Sequence, residues 1–431
     1  MATATQAQTP SRRLTAVQAA ELAERTRYRA IGAIMLLLGL GGYLLFANGV
    51  DSELVSTFGM SRGGAAVELE DWVVPTISTI TLLSALSVFA GAYQFVRGFS
   101  RLSNAILGLV ILLFVFSFLT WATRDQSINL VGMLDAAVER AVPLALGALS
   151  GILSERAGVV NIAIEGMMLS GAMVGSLIGS VGQSAWAGLA GSVLIGMLLS
   201  LFHGVLSIRY KVDQIVSGVV INIFSVGITS FISSKFLQQF QELNNPPRFP
   251  TTPIPVLSEI PFLGEILFNG NMFLYAMYIF LIVVHVALFY TRWGLRTRAV
   301  GEHPKAADTL GINVFRTRYV AVLLSGMMAG FAGAYFTLGS VGRFEELMTA
   351  GRGFISLAAM IFGKWLPFGA FGASLIFGFA ESLQAKLAIL RVPIPSQFLL
   401  MAPYVATMIA LAGLVGRATP PAADGQPYEK Q

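Results

Sequence analysis

The chain has 431 residues, of which 55% are hydrophobic and only 12% are charged. Soluble domains carry about 25% charged residues, and the mean hydropathy of this chain is +0.72. The composition therefore excludes an ordinary soluble protein and indicates a polytopic membrane protein. The net charge of +5 gives no reason to expect a nucleic-acid partner, because the basic residues lie in short loops rather than on one face.

Cysteine and histidine usage limits the chemistry that the chain can perform. The chain has no cysteine, which excludes disulfides and thiolate metal sites. Its three histidines, His203, His285 and His303, are too widely separated in sequence to suggest a metal cluster. Nucleotide-binding loops, nucleophile elbows, HExxH motifs and redox motifs are all missing from the sequence. We therefore expect neither an enzyme nor a metal or cofactor bound by this chain.

Apolar runs long enough to span a bilayer recur along the chain and predict an all-α protein with 10–12 transmembrane helices. Gly353–Gly363 is shorter and is compatible with a twelfth span, a half-helix or a re-entrant segment. Eleven runs are good candidates: Ile31–Ala47, Val73–Val96, Asn104–Ala122, Val138–Leu153, Ile162–Val181, Trp186–Ile208, Ile215–Ser234, Met272–Tyr290, Thr317–Leu338, Phe368–Lys386 and Phe398–Val415.

The basic residues of the short loops predict the orientation in the membrane. Five arginines precede the first span, and six basic residues fill the loop after Tyr290, so we expect these segments to be cytoplasmic. Loop 48–72 is acidic, and loop Lys235–Asn271 holds six prolines between Pro246 and Pro261, so both are expected outside. This parity puts both termini in the cytoplasm. The external loop Lys235–Asn271 is a candidate docking surface for a soluble partner, or merely a connection.

A polar stretch at the start of the fifth span contains the first candidate functional residues. Asn161 and Glu165 are four residues apart, so they share one face of a helix. A carboxylate at membrane depth is costly unless it faces a cavity or a partner. Glu165 is therefore either part of a translocation path or a carboxylate at the membrane interface. In the second case the glycines around it would serve only close helix packing.

Further polar residues lie within the apolar runs. Asn222 is either a substrate-binding group or a hydrogen-bonding contact between helices, and the second interpretation is slightly favoured. Glu381 and Gln384, at i and i+3, are interpreted as a pair near the membrane interface. His203 lies on an apolar helix and is interpreted as a packing residue with satisfied hydrogen bonds.

Arg298–Gly311, with the sequence RAVGEHPKAADTLG, is a polar, helix-competent segment between two apolar runs. Pro304 suits the first turn of a helix, and Gly311 suits a left-handed end. The spacing predicts a helix over Pro304–Leu310, roughly 10 Å long. Because so short a helix is marginal in water, we expect another protein to grip it.

At two motifs the sequence resembles the permeases of ABC importers for branched-chain amino acids, ribose-type sugars and nucleosides. Gly151–Leu169, with the sequence GILSERAGVVNIAIEGMML, resembles the signature of the nucleoside branch, whose importers use basic-membrane-protein-type lipoproteins. Val300–Ile312 resembles the cytoplasmic coupling segment of these permeases. The resemblance covers roughly Ala136 to Gly416 and continues through Ser325–Ala334 and Gly351–Ala358. It implies an ABC importer permease fold with a cytoplasmic coupling helix, in the plasma membrane.

The resemblance also implies partners and site residues. A second related permease would complete the translocation path, a cytoplasmic ATPase would bind ATP, and an external lipoprotein would deliver a nucleoside. The resemblance implies two sets of functional residues. The candidate residues of the translocation path are Asn161, Glu165, Met167, Ser170 and Asn222. The residues that would couple the permease to the ATPase are Glu302, His303, Pro304, Ala306, Ala307, Gly311 and Ile312.

Four segments follow from this interpretation. Residues 1–30 form a cytoplasmic tail, residues 31–130 are additional transmembrane segments, residues 131–416 are the permease core, and residues 417–431 are a second cytoplasmic tail. This last tail is polar, and we expect it to be disordered. Residues 31–130 exceed what the permease core needs and suggest an added anchor or a partner contact.

Three alternatives remain open on the sequence alone. The first is a permease of the same class for simple sugars or branched-chain amino acids. The second is an ion-coupled secondary carrier, which would need several buried carboxylates and would leave Arg298–Gly311 unexplained. The third is a membrane scaffold that transports nothing.

Overall fold

The structure is a computed structural model, and it describes residues 16–63, 67–390, 395, 397–398, 401 and 419–430. The predicted span Phe398–Val415 lies outside the described residues for nearly all of its length. The chain divides into two compact units, which are described separately. Unit 1 comprises Met1–Gly59 and Asp71–Ile128, and unit 2 comprises Met60–Glu70 and Asn129–Gln431.

Unit 1 contains three helices, α1 (Ala16–Phe46), α2 (Thr76–Val96) and α3 (Ser103–Ala122). A small sheet with the order β2-β1-β3 joins their ends. Strand β1 (Val55–Gly59) pairs antiparallel with β2 (Trp72–Pro75), and β3 is Ser127–Asn129. This sheet is a local addition to a chain that is otherwise helical, as predicted.

Unit 2 contains the candidate sites, and its helices fall into interior and peripheral sets. About four-fifths of the spanning windows of α4, α5 and α12 are buried, whereas only about a third is buried in α6, α7 and α9. The first three helices therefore form the centre of this unit. The helices of unit 2 are the following: α4 (Leu130–Glu155), α5 (Ile164–Val181), α6 (Ala185–Gly204), α7 (Gln214–Ile232), α8 (Leu263–Leu267), α9 (Met272–Tyr290), α10 (Arg292–Glu302), α11 (Pro304–Thr309), α12 (Val314–Ala334), α13 (Arg352–Phe362) and α14 (Pro367–Ile389).

Within the described residues, nine helices are long and apolar enough to cross a membrane. They correspond to the first nine predicted spans, and Met272–Tyr290 agrees residue for residue. The span predicted as short, Val138–Leu153, is in fact the 26-residue helix α4. The tenth predicted span corresponds to α14, a helix of 23 residues.

The segment of undecided status, Gly353–Gly363, is a half-helix. Helix α13 has 11 residues and is therefore only about 16 Å long, roughly half the thickness of a bilayer core. A π-helical segment, Tyr335–Val341, continues α12, and non-helical backbone then leads into α13. This stretch is buried at Phe344 and Thr349 and exposed at most of its other residues.

Helices α12 and α6 pack at backbone distance beside their glycines. A Cβ built on Gly330 of α12 would lie 2.1 Å from the carbonyl oxygen of Ser192 in α6. One built on Gly196 of α6 would lie 2.2 Å from the carbonyl oxygen of Gly326. Both positions exclude any side chain, which explains glycine there as a packing requirement.

The polar segment near the C-terminus is ordered, so the expectation of disorder was wrong. Residues 419–430 pack against the rest of unit 2, and Pro421, Ala423 and Tyr428 are buried. They contact the loop and helix ends around α11, and this side of unit 2 is called the α11 end below. The tail is polar in composition, yet three of its apolar residues are covered, while Pro420, Ala422 and Pro427 stay exposed.

Candidate translocation and coupling sites

Glu165 lies in the first turn of α5 and caps the half-helix α13. Its Oε1 accepts hydrogen bonds from Thr349 Oγ1 at 2.6 Å and from the Gly351 amide at 2.9 Å. Its Oε2 accepts from the Gly353 amide at 2.6 Å. A carboxylate at a helix N-terminus satisfies amides that have no partner within the helix. Both oxygens of this buried side chain are therefore engaged in holding α13.

Asn161 lies just before α5 and is fully buried. Its Nδ2 donates to Ser325 Oγ at 2.9 Å, and its Oδ1 accepts from the Ala163 amide at 3.1 Å. The same hydroxyl of Ser325 lies 3.0 Å from Ser150 Oγ. Asn161 thus connects the start of α5 to α12 and α4 through a buried polar chain.

Asn222 of α7 makes the interhelical contact that the sequence slightly favoured. Its Oδ1 accepts from the Gly166 amide at 2.8 Å, and its Nδ2 donates to the Ile162 carbonyl at 2.9 Å. Both ends of the amide are thus used by the backbone at the start of α5. A role of Asn222 in a translocation path stays a prediction.

Met167 and Ser170 complete the set predicted for α5. Met167 is fully buried, and its sulfur lies 3.9 Å from Asn161 Nδ2. Ser170 is 4% exposed, and its hydroxyl forms no hydrogen bond with any described residue. The structure thus brings Asn161, Glu165 and Met167 together with Asn222 around one end of α5, while Ser170 offers a buried hydroxyl that is still available.

Helix α11 begins at Pro304, as predicted, and ends at Thr309, one residue earlier than predicted. Pro304 occupies its first turn, and Nδ1 of His303 accepts from the Ala306 amide at 3.1 Å, which makes His303 the N-terminal cap. Gly311 has φ +81°, and the Ile312 amide donates to the Ala307 carbonyl at 3.1 Å. This is the left-handed helix ending that glycine permits.

The two alanines of α11 differ in accessibility, which corrects the expectation that both face a partner. Ala306 is exposed, but Ala307 is 3% exposed and packs with Val300, Val314 and Tyr428. Residue Leu310, directly after the helix, is 81% exposed. The surface available to a partner therefore contains Ala306 and Leu310. Of the other predicted coupling residues, Glu302 and His303 are exposed and Pro304 and Ile312 are half-buried.

A polar network at the α11 end was missed by the sequence reasoning. Trp365 Nε1 donates to Glu155 Oε2 at 2.6 Å, and Arg156 Nη2 donates to the Trp365 carbonyl at 2.9 Å. Burial lowers the pKa of Arg156. The network joins the end of α4 to the loop between α13 and α14. Glu155 and Arg156 stand inside the motif that carried the resemblance, but nothing in the sequence pointed to Trp365.

A polar cavity of about 1020 Å³ lies at the opposite end of unit 2, where α12 ends. Its walls come from the segment after α7 and from the residues after α12. Their amide and charged side chains include the following: Gln238, Gln241, Glu242, Asn244, Asn245, Arg248, Arg343, Glu345 and Glu346. Part of the predicted docking loop Lys235–Asn271 therefore forms one wall of a cavity.

His203 confirms its interpretation as a packing residue. Nδ1 lies 3.0 Å from Ser217 Oγ and Nε2 lies 2.9 Å from the Val160 carbonyl. Glu381 does not pair with Gln384 in the described contacts, since its Oε2 accepts from Arg352 Nη2 at 3.1 Å. This ion pair joins α14 to the start of α13.

The fold and these sites define a polytopic helical permease with a half-helix, α13, capped by Glu165 and a short capped helix, α11, at one end. Residues 133–415 match the family described as branched-chain amino acid transport system / permease component, and the chain belongs to this family. No solved structure matches the chain significantly.

Several proteins with similar sequences are named as permeases of ABC transporters. The chain is 43% identical to the guanosine ABC transporter permease protein NupQ of Bacillus subtilis, over 69% of this chain and 96% of NupQ. It is 42% identical to the nucleoside ABC transporter permease protein NupC of Lactococcus lactis, over 67% of this chain and 93% of NupC. A putative glucose ABC transporter permease protein, TsgC13 of Haloferax volcanii, is 36% identical over 59% of this chain and 77% of TsgC13. The guanosine ABC transporter permease protein NupP, also of Bacillus subtilis, is more distant at 24% over 76% of this chain and 88% of NupP.

Proposed function

We propose that the chain is the permease subunit of an ATP-driven nucleoside importer, coupled through α11 to a cytoplasmic ATPase. The observation that carries this proposal is the exposed apolar surface of α11, where Leu310 is 81% exposed beside the exposed Ala306. A leucine exposed beside a short polar helix is typical of an anchor for a groove on a partner protein. ATP would be bound and hydrolysed by that partner.

The charge distribution supports a cytoplasmic position for the α11 end. Helix α10 contributes Arg292, Arg296 and Arg298, and α11 and α12 contribute Lys305 and Arg316. Basic residues in short loops favour the cytoplasmic side. The C-terminal segment 419–430 lies at the same end, so it would be cytoplasmic as well. The five N-terminal arginines favour a cytoplasmic N-terminus. The plasma membrane is proposed as the location because importers of this kind work there.

The choice of a nucleoside follows from the relatives NupQ and NupC, whose matches extend over nearly their whole lengths. A nucleoside offers ring edges and ribose hydroxyls to hydrogen-bonding groups. Among the path candidates, Ser170 has the hydroxyl that is still available. Asn161, Glu165 and Asn222 would instead shape the path by holding the start of α5 and α13. An import path should bind its substrate weakly, because the substrate must leave it again.

Two further partners complete the proposal. A second permease, related to this chain as NupP is, would form the other half of the path. An external lipoprotein would dock at the polar cavity between Gln238 and Glu346 and deliver the nucleoside. Amide and charged side chains of both signs in the cavity wall suit a hydrated interface that must release its partner.

The test of the proposal is ATP-dependent uptake of radiolabelled guanosine into proteoliposomes that hold the complete complex. Leu310→Asp should reduce uptake at least tenfold and release the ATPase during purification, because a charge would replace the apolar anchor. The matched control is Leu263→Asp, an exposed leucine in α8, which should keep the ATPase bound. Uptake at the wild-type rate in Leu310→Asp would refute coupling through α11.

A sugar is the second candidate substrate, and the similarity to TsgC13 favours it. The same proteoliposomes decide between the two, with unlabelled glucose or inosine added in excess. Competition by inosine and not by glucose supports the nucleoside. ATP-dependent uptake of glucose without uptake of guanosine would keep the architecture and replace the substrate.

A further inference from the structure

The backbone of the C-terminal segment is fixed at three points to the α11 end. The Ala423 amide donates to the Gly301 carbonyl at 2.9 Å, and the Ala422 amide donates to Glu302 Oε2 at 3.1 Å. The buried Arg318 of α12 donates from Nη1 to the Gln426 carbonyl at 2.9 Å. The segment is therefore bonded to α10 and to α12 at once.

Its side chains reach α11 and the loop between α6 and α7. Tyr428 is 4% exposed and packs with Ala307 and with the ring of Phe315, whose centroid lies 5.4 Å away. Burial, together with the nearby Asp308 carboxyl of α11, raises the pKa of the Tyr428 hydroxyl. Glu429 forms an ion pair with Lys211. The inward face of α11 thus rests on this chain's own C-terminal segment.

Asp424 extends the contact to α4. Its carboxyl interacts electrostatically with that of Glu155, which accepts a hydrogen bond from Trp365 Nε1 at 2.6 Å. Gly158, in the turn after α4, has φ +80°, and a Cβ there would lie 3.0 Å from the Ala423 carbonyl oxygen. The segment consequently lies directly on the backbone after α4.

We propose that residues 421–429 form a clasp that transmits the movement of α11 to α4 and α12, and through them to the candidate path. The proposal rests on the coupling role proposed for α11. Helix α11 is too short to be stable alone, and it contacts the interior helices over a small surface. The clasp connects the ends of α4, α10, α11 and α12, so that these ends move as one body. It makes the C-terminal segment part of the coupling element.

The first test compares Tyr428→Ala with Tyr428→Phe and with the exposed control Lys430→Ala in the complete complex. Tyr428→Ala should leave the ATPase bound and hydrolysing ATP, while uptake per ATP hydrolysed falls at least fivefold. Tyr428→Phe keeps the buried ring and should stay within twofold of wild type, as should Lys430→Ala. An unchanged ratio in Tyr428→Ala, or loss of the ATPase from the complex, would overturn the clasp. The ratio separates transmission from stability, because a poorly folded permease loses uptake and hydrolysis together.

The second test uses the cysteine-free sequence to ask whether the clasp must stay docked. Lys211→Cys with Glu429→Cys can be joined by a short bismaleimide linker, because the two side chains form an ion pair. The linked complex should transport at no less than half the rate of the unlinked double variant. Transport that stops on linking would overturn the proposal, since it would make the segment a lid that has to open.

The two tests are independent of the substrate. If the wild-type complex moves no nucleoside but moves another solute with ATP, the uptake ratio is measured with that solute. If the wild-type complex moves nothing with ATP, the proposed function has failed. The clasp is then overturned only if a spin label at residue 430 (Lys430→Cys) shows equal mobility with and without Tyr428→Ala.

Discussion

Glu165→Gln is expected to destabilise the permease, because the amide cannot replace the carboxylate at the start of α13. The Gln oxygen can accept from Thr349 and from the Gly351 amide, which both bond to one carboxylate oxygen. The other position becomes an NH₂ group that faces the Gly353 amide, at present 2.6 Å from Oε2. Two donors then face each other inside the protein.

The magnitude follows from these contacts. One hydrogen bond is lost and one buried donor is left without a partner, which costs about 1–3 kcal/mol. Loss of the negative charge at the N-terminus of α13 adds about 0.3–2 kcal/mol. The two effects overlap, so we expect a decrease of roughly 2–4 kcal/mol in the free energy of unfolding.

The measurement is equilibrium unfolding of the purified chain in mixed micelles, followed by tryptophan fluorescence. Glu259→Gln is the matched control, since Glu259 is exposed and should change stability by less than about 0.5 kcal/mol. A value for Glu165→Gln that equals the control would refute the capping role. An unchanged stability with a raised KM for nucleoside would show instead that Glu165 acts on the substrate.

Two more predictions concern packing and pH. Gly330→Ala should cost about 1–3 kcal/mol, because its Cβ would lie 2.1 Å from a carbonyl oxygen of α6, whereas Gly372→Ala, with nothing within 4 Å, should be neutral or stabilising in the same unfolding assay. Burial raises the pKa of Asp424 from 3.8 to about 7, against the opposing effect of the positive charge on Arg318. Between about pH 4 and about pH 7, Asp424 is protonated in the docked segment but ionised in the free segment. Docking should therefore become weaker as pH rises through this range, and it should change little above about pH 7. A spin label at residue 430 should become more mobile with rising pH in wild type, and Asp424→Asn should remove that dependence; a pH-independent signal in wild type would contradict the shifted pKa.

The helices were predictable where the signal is local. Hydropathy located nine spans because a helix that crosses the bilayer must satisfy its backbone polar groups internally and present apolar side chains along its length. The start and end of α11 were equally local, since proline at the first turn and glycine after the last residue act through their own backbone angles. His203, a lone histidine on an apolar face, was interpreted correctly because a buried imidazole needs hydrogen-bond partners.

The environment of the site residues could not be read from spacing. The hydroxyl that bonds Glu165 belongs to Thr349, which is 184 residues away in sequence. Asn161 and Glu165 were predicted to share a helix face, yet Asn161 precedes α5 and bonds to α12. Ala307 was named as a coupling residue from its position, but it packs inward against Val300, Val314 and Tyr428, contacts that spacing does not reveal. The segment 419–430 looked disordered because its polar composition conceals one buried tyrosine, Tyr428, and one half-buried aspartate, Asp424.

We propose that ATP hydrolysis drives a nucleoside through this permease by way of α11. The most direct measurement is guanosine uptake into proteoliposomes that contain the chain, its second permease and the ATPase, with the lipoprotein outside. Uptake should require ATP, should stop with a non-hydrolysable analogue, and should fall at least tenfold in Leu310→Asp. Uptake that continues without ATP and follows an ion gradient would contradict the account and identify a secondary carrier.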